Sequence, residues 1–545
     1  MAGFWKSFAS VSLLATGLPT WVQGAAVQSV GARVSTSSGL IEGHAAPGEP
    51  SVSEYLGIPY AQAPTNDLRF APPVAYESDA TLQAKAYSPD CPATIGTTPL
   101  DFPDFTSQAV KIIKSFAQQL GTPQSEDCLY LNVWTQPKTS TPKPVLVFIH
   151  GGRFAVGGAN SPFYDGQHLA ANEDVVVVTF KLVTFPTPMP LKVVSSNGYS
   201  YRLNIFGFSG APGLTQNVAL LDQRMAVEWV YENIAAFGGD PEHITIFGQS
   251  AGGASVDYYS YIWTEKPLVS GLISHSGTAL SLKPNTAEES ASYFYHVSKT
   301  LDCGDSSDEV EEVVKCLRQQ SYGDILKAVA KVPAASSPAL PQPVFHPTVD
   351  NVTVFGDYAE RSAAGKFAKL PYLVNNNDNE AGYYRVNAFA ASLTLTDEDW
   401  NQFNLAAFTC PSDQAAKDRA ANGVPVWHSR YFGDWANMRL YPTSGAYHGV
   451  DLPMVFGNSA DISAVSAPKV EQKFSEYMAS AWVAFARDPQ KGLTKFRWPQ
   501  YDAKKNTLIG LAHKNSVKAE FLNPSDFQEG CAALGGDTTP GKGAF

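Results

Sequence analysis

The chain has 545 residues, 44% of them hydrophobic and 17% charged, which is ordinary for a globular protein with a large core. Its net charge of −12 argues against a nucleic-acid partner, because no basic run is available to neutralise phosphates. No Cys-x-x-Cys or His-x-x-x-His pair suggests a metal site. Length alone does not set the number of domains, since α/β enzymes often run long as one.

The N-terminal residues have the pattern of a secretory signal peptide. Lys6 is the only early charge, an uncharged stretch follows it, and small residues come at Gly24 and Ala26. No later apolar run is long enough to span a bilayer, so we expect a secreted, extracellular protein without a stable membrane anchor. Asn351 begins the glycosylation sequon Asn-Val-Thr, which suits a secreted protein. The predicted organisation is a signal peptide over 1–24, a single domain over 25–534 and a flexible tail over 535–545.

Six cysteines suit an oxidising compartment and three disulfides, although six cysteines allow fifteen pairings. Two of the pairings are favoured because their partners are close in sequence, and they leave a third pair that would tie the C-terminal segment to the body. The predicted disulfides are Cys91–Cys128, Cys303–Cys316 and Cys410–Cys531.

The first half of the chain alternates buried strands with helical segments. Residues 34–43 and 55–60 have the character of short strands, and the continuous apolar runs 144–149 and 175–180 are typical of strands covered on both faces. This alternation predicts a largely parallel sheet with helices on both sides. Inside the loop closed by the first disulfide, residues 106–120 have helical spacing. That helix is either a flap beside an active site or simply packed on the core.

One stretch predicts a nucleophile. Residues 221–233 have helical character, and after a turn over 237–241 the strand-like run 244–247 leads directly into Gly248-Gln249-Ser250-Ala251-Gly252. A strand that enters G-x-S-x-G followed by small residues is typical of a nucleophile elbow, a strained turn that exposes a serine above a parallel sheet. A bare G-x-S-x-G is a weak signal, but these neighbours favour Ser250 as a nucleophile.

Five further stretches are informative together: residues 237–252, the segment 126–133, His150-Gly151-Gly152, Tyr201-Arg202-Leu203 and Trp498-Pro499-Gln500-Tyr501. In combination they resemble the type-B carboxylesterase and cholinesterase family of α/β-hydrolases, especially its secreted fungal members. The resemblance extends from about Gly57 to about Tyr501. It implies an α/β-hydrolase fold with a central, mostly parallel sheet flanked by helices, a disulfide-closed flap loop over 91–128, and no cofactor.

A serine hydroxyl needs a base to take its proton, and the base needs a carboxylate to orient it. In α/β-hydrolases the chain order is serine, acid, histidine. The family places its histidine before glycine and a run that ends in Phe-Gly, and His448 is the histidine after Ser250 that fits. The family's acidic pair before glycine is altered here, so we choose Glu380 as the acid and keep Asp378 as the alternative. The other histidines after Ser250 are expected to be structural.

The tetrahedral oxyanion needs backbone N–H donors that are placed in advance. Ala251, the residue after the nucleophile, supplies one. The resemblance implies that Gly152 and Arg153 supply the others, although the family usually has Gly or Ala at the second position. The guanidinium of Arg153 must therefore point away or sit over the acyl site, which would alter substrate preference.

The expected reaction is hydrolysis of carboxylic esters through an acyl-enzyme. The loop 91–128 lacks the tryptophan that binds choline in the family and has Phe102, Phe105 and Phe116 instead, so we expect small, uncharged, fairly apolar esters. One alternative is a triacylglycerol lipase whose disulfide loop is an interfacial lid. The other is a non-catalytic, cholinesterase-like adhesion module, although such proteins usually lose the triad serine. The oligomeric state stays open.

Residues 181–200 interrupt the family pattern. Family members read from Thr-Phe to Tyr-Arg-Leu with a single Asn between them, whereas here about nineteen extra residues separate Phe180 from Tyr201. Three prolines within a strand connection disagree with the strand that they interrupt. Our hypothesis is a retained intron, because codons beginning at Lys181 and Ser200 could be spliced to restore the expected Asn.

Overall fold

A computed structural model describes residues 29–87, 89–94, 101–117, 123–137, 140–158, 161–179, 201–333, 342–532 and 534. The predicted signal peptide, the insertion over 181–200 and the tail over 535–545 lie outside this part of the chain. The strands, in chain order, are β1 Val34–Thr36, β2 Gly39–Glu42, β3 His44–Ala45, β4 Ser53–Pro59, β5 Thr81–Gln83, β6 Tyr130–Thr135, β7 Lys143–Ile149, β8 Val176–Thr179, β9 Gly239–Gln249, β10 Gly271–His275, β11 Tyr372–Asn377, β12 Val426–Tyr431, β13 Leu508–Leu511 and β14 Glu520–Leu522.

The helices are α1 Ala109–Phe116, α2 Gln167–Glu173, α3 Asn204–Gly207, α4 Val218–Asn233, α5 Ala251–Ile262, α6 Ala287–Thr300, α7 Val310–Gln319, α8 Tyr322–Val329, α9 Tyr358–Ala363, α10 Ala381–Ala390, α11 Asp397–Asn404, α12 Cys410–Ala421, α13 Leu452–Phe456, α14 Ser459–Ser463, α15 Lys469–Arg487 and α16 Gly492–Lys495. A π-helical segment, Leu405–Thr409, joins α11 to α12. Within the described ranges, no helix is both long and apolar enough to cross a membrane.

The protein has an α/β-hydrolase architecture built on an 11-stranded sheet with the order β14-β13-β12-β11-β10-β9-β7-β8-β6-β4-β3. Its middle, from β13 to β8, is parallel, and the pairs at both edges are antiparallel. Every residue of β7 and of β8 is buried, as the continuous apolar runs predicted. Helices cover both faces of these strands. Because β9, β10 and β11 are parallel neighbours, their carboxyl ends meet at one edge of the sheet, where α/β proteins bind ligands.

The structure corrects two predicted boundaries. The segment expected to be a turn before the central strand is partly in that strand, because β9 begins at Gly239 and pairs with Lys143 of β7. A register irregularity after Lys143 accommodates Pro241, which has no N–H for a regular ladder. In the first disulfide loop, the helix α1 begins at Ala109 rather than at Thr106. Thr106 precedes the helix and donates its N–H to the carbonyl of Leu440.

Three disulfides link the cysteine pairs that are closest in sequence and the remaining pair: Cys91–Cys128, Cys303–Cys316 and Cys410–Cys531. Because the first pair closes a loop of 37 residues at the edge of the site, it restrains the loop that carries α1. Asn351 of the predicted sequon is exposed in a turn, whereas the side chain of Thr353 is buried and bonded to Asp350.

Candidate active site

Ser250 occupies the turn between β9 and α5. Its backbone has φ 59° and ψ −123°, a conformation that L-residues rarely adopt and that is typical of a strained nucleophile elbow. The Ser250 N–H donates to the carbonyl of His275 at 2.8 Å, which holds the turn against the neighbouring strand β10. A Cβ on Gly252 would lie 2.0 Å from the carbonyl oxygen of Ile149, so only glycine permits this approach of α5 to β7.

His448 and Glu380 come from loops that follow different strands and meet beside the elbow. Nδ1 of His448 lies 2.6 Å from Oε2 of Glu380, and both side chains are buried. The other carboxylate oxygen of Glu380 accepts the backbone N–H of Asn377 at 2.7 Å, so both oxygens are hydrogen-bonded. A carboxylate held in this way orients the imidazole with its proton on Nδ1 and leaves Nε2 as the reactive nitrogen.

Asp378, the alternative acid, faces elsewhere. Its carboxylate forms an ion pair with Arg430 at 2.9 Å and its side chain is 42% exposed, so it does not contact the imidazole of His448. Of the two acids that the sequence left open, the structure brings Glu380 to His448.

The second nitrogen of His448 meets a residue that the sequence analysis did not single out. Nε2 of His448 lies 3.0 Å from Nε2 of Gln249, whose side chain is buried directly before Ser250. With the proton of His448 on Nδ1, the amide donates to Nε2. The carbonyl oxygen of the same amide makes no hydrogen bond within the described part of the chain. The signal for this residue is weak, since it occupies the variable position of G-x-S-x-G.

The loop after β7 runs alongside Ser250. A Cβ on Gly151 would lie 2.8 Å from Cβ of Ser250, which measures how closely this loop approaches the nucleophile. Gly152 has φ +111°, and a Cβ there would lie 2.0 Å from the carbonyl of Val156. Arg153 follows with φ 59°, a rare value for a side-chain-bearing residue. Ala251 begins α5, so its N–H is among the first four of the helix, which have no intrahelical acceptor.

Two cavities open at Ser250. The larger, of about 230 Å³, includes His448, Phe116 of α1, the loop from Gly151 to Arg153 and several polar side chains. The smaller, of about 30 Å³, lies on the side of Ala251, Gly277 and Phe408. Ser250, Arg153 and Tyr384 line both cavities, so these three side chains form the junction.

Tyrosines from the start of α10 form part of the cavity wall. Burial raises the pKa of Tyr383 to about 12, and burial raises that of Tyr384 further although Arg153 opposes the shift. Both hydroxyls are therefore neutral hydrogen-bond groups near neutral pH. Neither tyrosine was among the predicted site residues, and the signal that the sequence offers for them is their position three and four residues after Glu380.

The loop closed by Cys91–Cys128 is docked on the body of the protein. The Thr106 hydroxyl donates to the carbonyl of Arg439 at 2.6 Å, and the Gln108 amide donates to that of Ala436 at 2.9 Å. Phe116 packs edge-on against the His448 ring at 6.3 Å between centroids. Phe102 and Phe105 pack on each other outside the cavity, so Phe116 is the one of the three loop phenylalanines in the cavity wall.

Comparison with known proteins agrees with this geometry. The profile of the carboxylesterase family matches residues 31–182, 193–406 and 397–528. The chain belongs to the carboxylesterase family. It is therefore a carboxylic ester hydrolase, as the motifs predicted. The family match is interrupted within the segment 181–200.

Individual relatives of this carboxylesterase span nearly its whole length. A secreted lipase of Gibberella zeae is 32% identical and the alignment covers 90% of this chain and 91% of that protein. A chlorogenic acid esterase of Aspergillus niger is also 32% identical, with 89% and 91% covered. Among solved structures, a PNB esterase superposes with a TM-score of 0.71 at 26% identity and covers 91% of this chain and 98% of its own.

Proposed function

We propose that Ser250, His448 and Glu380 form the catalytic triad of this ester hydrolase. His448 takes the proton of the Ser250 hydroxyl, the serine oxygen attacks the ester carbonyl, and Glu380 stabilises the imidazolium. The backbone N–H groups of Gly152, Arg153 and Ala251 would donate to the oxyanion. The observation that carries the proposal is the 2.6 Å contact between His448 and Glu380 on the cavity that also contains Ser250.

The two cavities differ in what they can accept. After the attack, His448 must deliver its proton to the leaving alcohol, so the alcohol belongs on the side of His448. His448 lines the larger cavity and not the smaller one. The alcohol part therefore occupies about 230 Å³, and the acyl part faces about 30 Å³ beside Phe408. We propose short-chain acyl groups, with the apolar part of the alcohol against Phe116.

The docked loop favours an esterase over a lipase. The hydrogen bonds of Thr106 and Gln108 to residues 436 and 439 would all have to break for α1 to move as an interfacial lid. We therefore propose that this loop is a fixed wall, although one relative is named a secreted lipase. Retention of a complete Ser-His-Glu constellation speaks against an adhesion module. The name of the secreted lipase of Gibberella zeae and the predicted signal peptide of this chain both favour secretion.

The test is the rate of hydrolysis of para-nitrophenyl butyrate and para-nitrophenyl palmitate, with Ser250→Ala as background. We expect butyrate to be preferred and the variant to be inactive on both esters. Preference for palmitate, with a rate that rises above its solubility limit, would instead indicate a lipase with a moving lid. Activity of the variant equal to that of the wild type would refute the role of Ser250.

We also propose that the mature message encodes a single Asn in place of residues 181–200. Tyr201, directly after the segment, stacks on His150 beside the oxyanion loop at 4.6 Å, so the connection from β8 bears on the site. Sequencing of the transcript tests this, and a message that keeps the codons for this segment would refute it.

A further inference from the structure

We propose that the guanidinium of Arg153 binds a carboxylate carried by the alcohol part of the ester substrate. The inference deepens the proposed function and rests on it, because it names the substrate class of the same site. The sequence predicted uncharged, fairly apolar esters. The structure instead points to amphiphilic esters, with an apolar part on Phe116 and an anionic group at Arg153.

Arg153 lies where the two cavities meet. Arg153 lines both cavities together with Ser250 and Tyr384, so any ester held for attack at Ser250 lies beside this residue. Of the two orientations that the sequence left open, pointing away or sitting over the acyl site, the charge contacts of Arg153 with Tyr384 and Tyr383 favour a guanidinium turned toward the cavities. An arginine at this place presents a planar set of donors, which suits a carboxylate in two parallel hydrogen bonds.

The groups around Arg153 affect how strongly its charge attracts an anion. Burial lowers the pKa of Arg153, and the titratable groups that oppose this shift are the neighbouring Tyr384 and Tyr383. Arg153 is only partly exposed to solvent, so its attraction for an anion is stronger than it would be in bulk water. Tyr383, Tyr384 and Asn387 lie on the same wall, and none of these side chains carries a negative charge near neutral pH that would compete for the guanidinium. The acidic residue that lines the larger cavity is Asp90, which directly precedes Cys91 of the first disulfide in the chain.

The size of the cavities decides which part of the ester carries the carboxylate. The smaller cavity, of about 30 Å³, leaves the acyl side less room for an added carboxylate than the larger cavity, of about 230 Å³, leaves the alcohol side. The larger cavity contains His448, which protonates the leaving alcohol, and it also contains Arg153, Tyr383 and Asn387. The anionic group therefore belongs to the alcohol.

The experiment uses two acetate esters of equal size, para-acetoxybenzoate and para-acetoxybenzamide, which differ in one charge. The ratio of their kcat/KM values is measured for the wild type, Arg153→Met and Arg153→Lys, because a ratio cancels losses common to both esters. We expect Arg153→Met to lower the ratio about tenfold to a hundredfold, as befits a hydrogen bond between charged groups. Arg153→Lys should keep part of the preference, since it retains the charge without the planar fork.

Two controls locate the effect. Arg385→Met removes a cation from the same helix as Tyr383 and Tyr384, where Arg385 pairs with Asp397 at 2.8 Å outside the cavity, and the ratio should not change. A second pair, phenyl hydrogen succinate and phenyl succinamate, carries the charge on the acyl side. Its ratio should be the same in the wild type and Arg153→Met.

An unchanged ratio for the first pair in Arg153→Met, or a change confined to the succinate pair, overturns the inference while ester hydrolysis stands. Failure of the wild type to hydrolyse either acetate above Ser250→Ala overturns the proposed function itself. If Arg153→Met does not fold, competitive inhibition of the wild type by para-hydroxybenzoate and para-hydroxybenzamide replaces it. Tighter binding of the carboxylate supports the inference, and equal or weaker binding refutes it.

Discussion

Two buried histidine–carboxylate pairs lie near Ser250, and of the two histidines only His448 lines a cavity there. In one, Nδ1 of His448 contacts Glu380, and in the other Nδ1 of His275 contacts Asp451. Both contacts measure 2.6 Å, and all four side chains are buried. By the geometry of the pair alone, the two are indistinguishable.

The difference lies at the second ring nitrogen. Nε2 of His275 accepts the indole N–H of Trp482 at 3.0 Å, and because an indole can only donate, this contact uses Nε2 as an acceptor alone. Nε2 of His448 faces the amide of Gln249, which can donate or, after rotation, accept. A general base must hold a proton for part of the cycle, so a partner that tolerates both states fits the proposed catalytic pair of His448 and Glu380.

The charge of the structural pair is also set by its neighbours. Burial pushes the pKa of Asp451 up, but its contacts with His275 and Asn377 outweigh burial and keep that pKa below the usual value. Asn377 also donates its backbone N–H to Glu380 at 2.7 Å and its side chain to Asp451 at 3.1 Å. The structural pair thus supports the catalytic one through a single residue.

Replacement of a catalytic residue should give the largest effect. We expect His448→Gln to lower kcat/KM for para-nitrophenyl butyrate by about 10⁴- to 10⁶-fold, because the serine loses its base. Glu380→Gln should lower it less, by about 10⁴-fold, through loss of the orienting carboxylate. Steady-state kinetics and thermal unfolding are measured together. A variant that loses activity only in proportion to its folded fraction would contradict the assignment.

Replacement of Asp451 should act on stability instead. Asp451→Ala leaves His275, Asn375 and Asn377 without their buried acceptor, and we expect the free energy of unfolding to fall by about 3–5 kcal/mol. The kcat of the folded fraction should fall less than about tenfold, since the triad itself is intact. Denaturant titration measures the first quantity and active-site titration with an organophosphonate normalises the second. A loss of kcat as large as that of Glu380→Gln would erase the distinction between the pairs.

The amide of Gln249 offers a finer test. In Gln249→Glu, a carboxylate beside Nε2 favours the protonated imidazole, so the acid limb of the pH profile of kcat/KM should move up by about one pH unit. Gln249→Leu has a similar volume without the polar group, and it should not move the limb upward. A limb that stays in place in Gln249→Glu would show that the 3.0 Å contact does not persist in solution.

Much of this site can be predicted from local sequence patterns. The elbow at Ser250 is a strand followed by glycine-flanked serine, and His448 precedes a recognisable run, so both are visible without coordinates. The choice between Glu380 and Asp378 was open, because an altered acidic motif does not say which side chain turns inward. Gln249, Tyr384 and the pairing of His275 with Asp451 depend on contacts between residues far apart in the chain. No spacing rule reaches across 176 residues, the separation of that pair.

A third histidine, outside the site, should give the smallest effect and a distinct pH dependence. His168 in α2 lies 2.9 Å from Asp461 and 2.8 Å from Glu49, and the hydrogen bond to Asp461 is the main reason that its pKa is raised from 6.5 to about 9. Because the folded value is above the unfolded one, this contribution is complete below 6.5 and disappears as the pH rises through about 9.

We therefore expect His168→Gln to lower the free energy of unfolding by about 1 kcal/mol near about pH 6 and by almost nothing near about pH 10. Asp461→Asn should reproduce most of that loss, and the double variant should add little to it, because both changes remove the same contact. Urea unfolding at the two pH values measures all three. An equal loss at both pH values would mean that His168 stabilises the fold by packing, as the neighbouring Gly457 permits, rather than by charge.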